Sequence, residues 1–261
     1  ALLLSGGPPV GDDILRVNVI ALPRMSNHTD MDALASEPGV VLRFVTDPAA
    51  LRDADLVIVP GTRATVADLA WMRGRGLDRA VRRHAAAGRP VLGICGGYQM
   101  LGTVIDDPVE SRAGQVCGLA LLPVHTRFNA EKVLARPVRT LADATIVHGY
   151  EIHHGIVHRD GADPFFAEEG CRSGPVAGTV WHGVMENDAF RRNYLYEIAA
   201  RCNRRFTVAP DTSFEAVRET RLDRLADLVA DHLDHAAVRR LLTTGAGSAP
   251  TLTLTLAAAT D

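Results

Sequence analysis

The stretch Pro90-Val91-Leu92-Gly93-Ile94-Cys95-Gly96-Gly97-Tyr98-Gln99-Met100-Leu101-Gly102 constrains this chain more than any other. Val91 to Ile94 is a short apolar run of the kind that forms a buried strand, entered through Pro90, and a helix is expected from Gly97 onward. Between them, Cys95 is flanked by glycines at 93, 96 and 97. That is the layout of a Gly-x-Ser-x-Gly nucleophile elbow with cysteine in place of serine. The requirement is steric, because a nucleophile on a sharp strand-to-helix turn needs neighbours without a Cβ if backbone and substrate are to approach. The turn also sets the thiol at the N-terminus of a helix, where partial positive charge favours the thiolate. An isolated cysteine is more often a buried structural residue; in this sequence context Cys95 reads as a nucleophile.

On both sides of the elbow, apolar runs alternate with helical stretches. Strands are expected at Ile14 to Leu22, Val40 to Val45 and Leu56 to Val59, and helices at Ala64 to Met72 and Leu77 to Ala87. Asn27-His28-Thr29-Asp30 offers cap residues to a short helix that ends before Pro38-Gly39. This alternation implies an α/β fold with a mostly parallel sheet flanked by helices, wound by right-handed crossovers, with ligands at the carboxyl ends of its strands. Gly61 and Cys95 both follow strand ends and should face one crevice. The second half is less regular, with strands expected in Gly114 to Thr126 and at Thr145 to Val147 in a more antiparallel portion. A loop-rich region follows from Arg159 to Gly174, then a strand from Pro175 toward His182 and a helix from Asp188 to Cys202.

The domain reading follows from these shifts. Residues 1–13 read as the tail of an upstream domain or a linker, 14–205 as the main domain, 206–242 as a C-terminal helical extension packed on it and 243–261 as a disordered tail. The extension carries a capping box at Thr212-Ser213-Phe214-Glu215 and an apolar stripe at Phe214, Val217, Leu222, Leu225, Val229 and Leu233. Composition narrows the chemistry. The net charge is −3 over 261 residues and the arginines are scattered, which argues against nucleic acid as a partner. There is no 18-residue apolar run and no signal peptide, so neither membrane insertion nor secretion is expected. The four cysteines are widely spaced with no C-x-x-C pair, which disfavours disulfide and zinc scaffolds and points to a cytoplasmic setting. The single lysine, Lys132, lies outside any glycine loop, so this chain has no ordinary phosphate cradle and no ATP chemistry is expected in it.

A cysteine nucleophile needs a base, and ten histidines compete for the role. His182, in Gly178-Thr179-Val180-Trp181-His182-Gly183, holds the same strand-end position as Cys95 and is the strongest candidate. His148, His153, His154 and His158 cluster in sequence, but without a carboxylate or cysteine ligand set at helical spacing no metal site is assigned. Glu186 is the carboxylate nearest His182, although a solvated turn glutamate is at least as good a reading. Gly96, next after the nucleophile, and Gly61, in the Pro60-Gly61-Thr62 turn, are candidates for the two backbone N–H groups of an oxyanion hole.

Gly93-Ile94-Cys95-Gly96-Gly97-Tyr98-Gln99 resembles the nucleophile motif of class I, triad-type glutamine amidotransferases. Three further stretches, Leu22 to Asp30, Pro60 to Thr65 and Gly149-Tyr150-Glu151-Ile152-His153-His154-Gly155, are similar to the glutaminase half of the cobyric acid synthase family in the cobalamin branch. The resemblance runs from about Ile14 to about Leu242. It implies a flavodoxin-like fold and hydrolysis of glutamine through a γ-glutamyl thioester. Ammonia would pass to an N-terminal synthetase domain that uses ATP and Mg to amidate a corrinoid, adenosylcobyrinic acid a,c-diamide. It further implies Cys95 as nucleophile, His182 as base, Gly61 and Gly96 as the oxyanion turns, Gln99 as a substrate contact and Tyr150, Glu151, His153 and His154 as residues lining the glutamine pocket. No cofactor is implied for this chain itself. Where such enzymes usually carry His-Pro-Glu at the base, this chain has His182-Gly183-Val184-Met185-Glu186, which puts a role for Glu186 in doubt. Two other readings are the glutaminase subunit of a lipid II amidating ligase, disfavoured by the Tyr150 to His154 motif, and a non-catalytic glutamine-sensing or partner-binding module, disfavoured by the presence of both Cys95 and His182.

Overall fold

The computed structural model describes residues 13–245 and 247. Of the upstream tail or linker expected over residues 1–13, residues 1–12 lie outside the described residues, as do 246 and 248–261 of the tail expected over 243–261. The chain divides into two units, Ala1–Phe214 and Glu215–Asp261.

In the first unit the short apolar runs become the strands of a six-stranded sheet: β1 (Leu15–Ile20), β2 (Val40–Val45), β3 (Leu56–Val59), β4 (Val91–Ile94), β11 (Cys171–Ser173) and β12 (Val176–Thr179), in the order β11-β12-β4-β3-β1-β2. All neighbours pair parallel except β11, which runs antiparallel to β12 at the edge. Every residue of β3, β4 and β12 is buried, as strands covered on both faces must be. Helices α2 (Thr65–Gly74) and α3 (Leu77–Ala86) link β3 to β4, and α5 (Asp188–Arg201) follows β12. Their buried residues, among them Leu69, Leu77, Val81, Leu195 and Ile198, join Val17, Ile58 and Leu92 in one core. The chain runs from β1 outward to β2 and then returns to β3 on the other flank of β1. In open α/β sheets, the crevice at such a reversal, beyond the strands' carboxyl ends, is where ligands bind.

The less regular half builds a second sheet of four strands, β10-β7-β5-β6. Here β5 (Val104–Asp107) pairs antiparallel with β6 (Gly114–Cys117) and parallel with β7 (Val124–Ala135), and β7 pairs antiparallel with β10 (Glu151–Arg159). Val124, Thr126 and Phe128 of β7 are buried and the residues between them exposed, the period of two expected of a strand with one covered face. The histidine cluster that the sequence offered lies largely on β10, whose register against β7 shifts between His153 and Gly155. The expected strand at Thr145 to Val147 is β9 (Ile146–His148), paired antiparallel with β8 (Val138–Thr140). The remaining helices of this unit are the short α1 (Asp32–Ala35) and α4 (Gly96–Leu101), the latter beginning directly after Cys95.

The C-terminal helices are α6 (Phe214–His232) and α7 (His235–Thr244), with the side chain of Asp234 accepting the N–H of Ala237 to cap α7. Phe214 is the buried residue of α6, whereas Leu222, Leu225, Val229 and Leu233 of the apolar stripe are exposed. Among the described residues no helix is long and apolar enough to cross a membrane.

Candidate active site

The elbow forms as the glycine spacing requires. Cys95 has φ 49° and ψ −110°, a left-handed backbone that a residue with a Cβ adopts only when its surroundings impose it. Those surroundings are visible on both sides. The Cys95 N–H donates to the Thr179 carbonyl of β12 at 2.8 Å, and its own carbonyl accepts the N–H of Gln99 at 3.0 Å, closing the first turn of α4. A methyl group on Gly97 would overlap the carbonyl of Val59 on β3, so only glycine lets the helix begin this close to the neighbouring strand. The thiol is buried.

His182 follows β12 by three residues and is held from three directions. Its backbone N–H donates to the carbonyl of Tyr150 at 2.9 Å and its carbonyl accepts the N–H of Tyr150 at 3.0 Å. The Tyr150 ring stacks on the imidazole with centroids 5.2 Å apart. Nδ1 lies 2.6 Å from Oδ2 of Asp30, and the other oxygen of Asp30 accepts the N–H of Gly183 at 2.8 Å. The imidazole is also hydrogen-bonded to Cys95, which leaves Nε2 for the thiol. Burial works against a charge on His182. The hydrogen bonds to Asp30 and Cys95 and the charges of both prevail, pushing its pKa up to about 10. At neutral pH the ring is therefore an imidazolium between a buried carboxylate and the cysteine.

Asp30 stands in the orienting place that the sequence leaves open. It comes from the connection after β1, where a 3-10 turn over His28–Met31 follows Asn27, itself at φ 51°. Its side chain is buried and reaches His182 across 152 positions of sequence. Glu186 instead lies in the turn Val184–Glu186 that follows the histidine, its N–H donating to the carbonyl of Gly183.

Cys95 and His182 open into a cavity of about 290 Å³, near the lower end of the roughly 300–1,000 Å³ common for small-molecule sites. Gln99, His153 and His154 also line it. The Gln99 amide is buried, its oxygen accepting from the Thr65 hydroxyl at 3.3 Å and its nitrogen donating to the carbonyl of Gly155 at 3.5 Å. Gly61 follows β3 beside the histidine, where an added Cβ would stand 2.9 Å from Cε1 of His182. Gly96 begins α4. Tyr150 and Glu151 take other places than the cavity wall: Tyr150 backs His182, and Glu151 pairs with Nε2 of His153 at 3.2 Å. The sequence reading missed Asp30 as a partner of His182, along with Arg63, Glu110, Phe128 and Lys132 as cavity-lining residues. Asp30 closes the Leu22 to Asp30 stretch that carries part of the family resemblance, but the polar cluster there reads equally well as a helix cap. All four cysteines are free, and among the described residues no group of three or more histidine, cysteine or acidic side chains is placed to hold a metal ion.

A cysteine on an elbow, a buried imidazolium and a buried carboxylate in one file can carry out nucleophilic acyl chemistry. Residues 16–190 match the family of CobB/CobQ-like glutamine amidotransferase domains. The chain belongs to that family. Among its relatives is a cobyric acid synthase of Streptomyces avermitilis, 60% identical over 240 residues, a match that takes in 92% of this chain and 47% of the relative. A second, from Frankia casuarinae, is 57% identical over 237 residues, covering 89% of this chain and 45% of the relative. This amidotransferase chain thus spans about half the length of the curated relatives it matches. Among solved structures, a glutamine amidotransferase superposes with a TM-score of 0.58 at 21% identity, covering 70% of this chain and 98% of the other. PurLQS from Thermotoga maritima superposes with a TM-score of 0.53 at 16% identity, covering 70% and 99%. The flavodoxin-like sheet of the glutamine amidotransferases is the fold of this chain.

Proposed function

We propose that this chain is the glutaminase half of a cobyric acid synthase, releasing ammonia from glutamine for a synthetase half that amidates a corrinoid. The observation that carries the reading is the file Cys95–His182–Asp30, in which every member is buried and each side chain is hydrogen-bonded to the next. Family membership and the cobyric acid synthases matched over nearly the whole chain support glutamine as substrate and the cobalamin branch as context.

In this reading Cys95 reacts as a thiolate beside the His182 imidazolium and attacks the side-chain amide carbon of glutamine. The backbone N–H groups of Gly61 and Gly96 receive the developing oxyanion. As the tetrahedral intermediate collapses, His182 gives its proton to the departing nitrogen and ammonia leaves, with the γ-glutamyl group on sulfur. Water then attacks the thioester while the now neutral His182 takes its proton, and collapse frees glutamate and the Cys95 thiolate with His182 protonated again. Asp30 fixes the ring with Nδ1 toward the carboxylate throughout, so that Nε2 faces sulfur and substrate. Glutamine and water are consumed and glutamate and ammonia formed, without a cofactor in this chain. ATP and Mg belong to the synthetase half. The four free cysteines fit a reducing cytoplasm.

The test is covalent. A glutamine-analogue electrophile should label Cys95 stoichiometrically, and Cys95→Ala should lose both the label and ammonia release by about 10⁴-fold or more. Labelling that persists in the alanine variant would overturn the assignment.

A further inference from the structure

Two charged side chains outside the reacting file, Arg191 on α5 and Glu37 in the turn after α1, are fully buried against each other. Nε of Arg191 donates to Oε1 of Glu37 at 2.8 Å, Nη1 to the carbonyl of Met185 at 2.8 Å and Nη2 to Oδ1 of Asp188 at 2.7 Å. Such a pair is a poor source of stability. The cost of taking both charges out of water commonly cancels their attraction, and apolar side chains of similar volume often serve as well or better. The cost is visible here. Burial raises the Glu37 carboxyl above its ordinary value against the opposing pull of Arg191, and Oε2 of Glu37 is buried with no hydrogen-bond partner among the described residues.

What the pair does supply is geometry. A guanidinium is a planar fork with fixed donor directions, so the acceptors on it are held in one arrangement. Two of those acceptors belong to the segments that carry Asp30 and His182. The 3-10 turn of Asp30 runs directly into α1, just past whose end Glu37 stands. Met185 lies in the turn Val184–Glu186 that follows His182. The two segments therefore meet twice: once where Asp30 takes the His182 ring and the Gly183 N–H, and again through Glu37, Arg191 and Met185. One contact leaves two loops free to pivot about it; a second fixes their angle as well as their distance. Met31, Leu34 and Val184 of the same segments are also buried, but apolar contact is non-directional and does not set the orientation of a ring.

We propose that Arg191, with Glu37 as its counter-ion, is a positioning residue for the reacting file: it holds the Asp30 and His182 segments in the placement that keeps the carboxylate on Nδ1 and so aims Nε2 at Cys95. The inference rests on the glutaminase reading for its kinetic consequence, whereas the placement concerns this chain's own residues. A reacting group misplaced by about 1 Å loses on the order of 100-fold in rate.

The test separates placement from stability. In the double variant Glu37→Met/Arg191→Leu the pair becomes apolar at similar volume, so the urea midpoint should stay at or above the wild-type value. Even so, kcat for ammonia release from glutamine should fall by about 10- to 100-fold with KM little changed. The downfield proton resonance expected of the His182 Nδ1–H, bonded to Asp30 at 2.6 Å, should shift or broaden by exchange with water. Arg191→Lys, which keeps the charge but not the fork, should show the same two losses, and Glu37→Gln, which keeps an acceptor for Nε, should lie closest to wild type in both. If the double variant does not fold, Arg191→Lys decides by the same two readings. A folded double variant or Arg191→Lys with wild-type kcat and an unaltered resonance would overturn the inference and leave the glutaminase reading standing. If the folded wild type releases no ammonia from glutamine, the glutaminase reading falls, and the His182 resonance alone decides whether Arg191 sets the placement.

Discussion

The two larger sheets of the first unit contribute to one cavity in opposite ways. The parallel sheet supplies the groups of the reacting file, each at or beyond a strand end: Asp30 after β1, Gly61 after β3, Cys95 after β4 and His182 after β12. The catalytic side chains are buried and pinned by hydrogen bonds to backbone or to each other. The smaller sheet supplies wall, with Phe128 and Lys132 from β7 and Ile152, His153 and His154 from β10. Its pairing is interrupted by a register shift, and it leaves large apolar side chains such as Leu134 and Ile152 exposed. The reacting groups are thus placed on the regular sheet, while the more irregular one adds wall to the cavity they share, a division expected when reacting atoms must be held within a fraction of an ångström while a binding face must fit different contours.

That division can be attacked from either side. The sharpest blow to the parallel sheet short of removing Cys95 is Asp30→Asn, which keeps the shape but removes the charge facing Nδ1. A fall in kcat of roughly 10²- to 10⁴-fold is expected, with KM little altered. If KM moves and kcat does not, the two sheets do not divide the labour as described. A second effect appears in stability. The pKa of His182 is raised in the folded chain from its ordinary 6.5 to about 10, so folding binds its proton more tightly. The stabilisation that results is fully present below pH 6.5 and is lost as pH rises through about 10. Urea denaturation of the wild type should show this decline, and the stability gap between wild type and Asp30→Asn should narrow over the same interval. A gap that stays constant with pH would detach Asp30 from the titration of His182. The smallest effect belongs to the other sheet: Leu134, 70% exposed on β7, should tolerate Leu134→Ser within about 0.5 kcal/mol by denaturant titration.

How well the sequence announces each sheet follows the same split. Val91 to Ile94 and Leu56 to Val59 are continuous apolar runs because both faces of those strands are covered, and such runs stand out in a single sequence. Cys95 is legible because the close approach of β3 to α4 demands glycine at 97. His182 is legible because it ends an apolar strand. Asp30 is hidden for a physical reason: an orienting carboxylate needs only to arrive in space, its loop is polar as loops are, and Glu186 sits nearer in the chain. The strand β10 is obscured by its half-exposed residues and its shifted register, so that Tyr150 to Gly155 reads as a motif without an element.

The backbone of Cys95 has a consequence for anyone who sets out to improve this protein. Its left-handed φ of 49° is a conformation that costs a cysteine on the order of 1–3 kcal/mol and a glycine almost nothing. A library sorted only for heat resistance would therefore enrich Cys95→Gly, harvesting robust molecules that no longer work. At this one position, selection for durability and selection for turnover pull on the same atom in opposite directions.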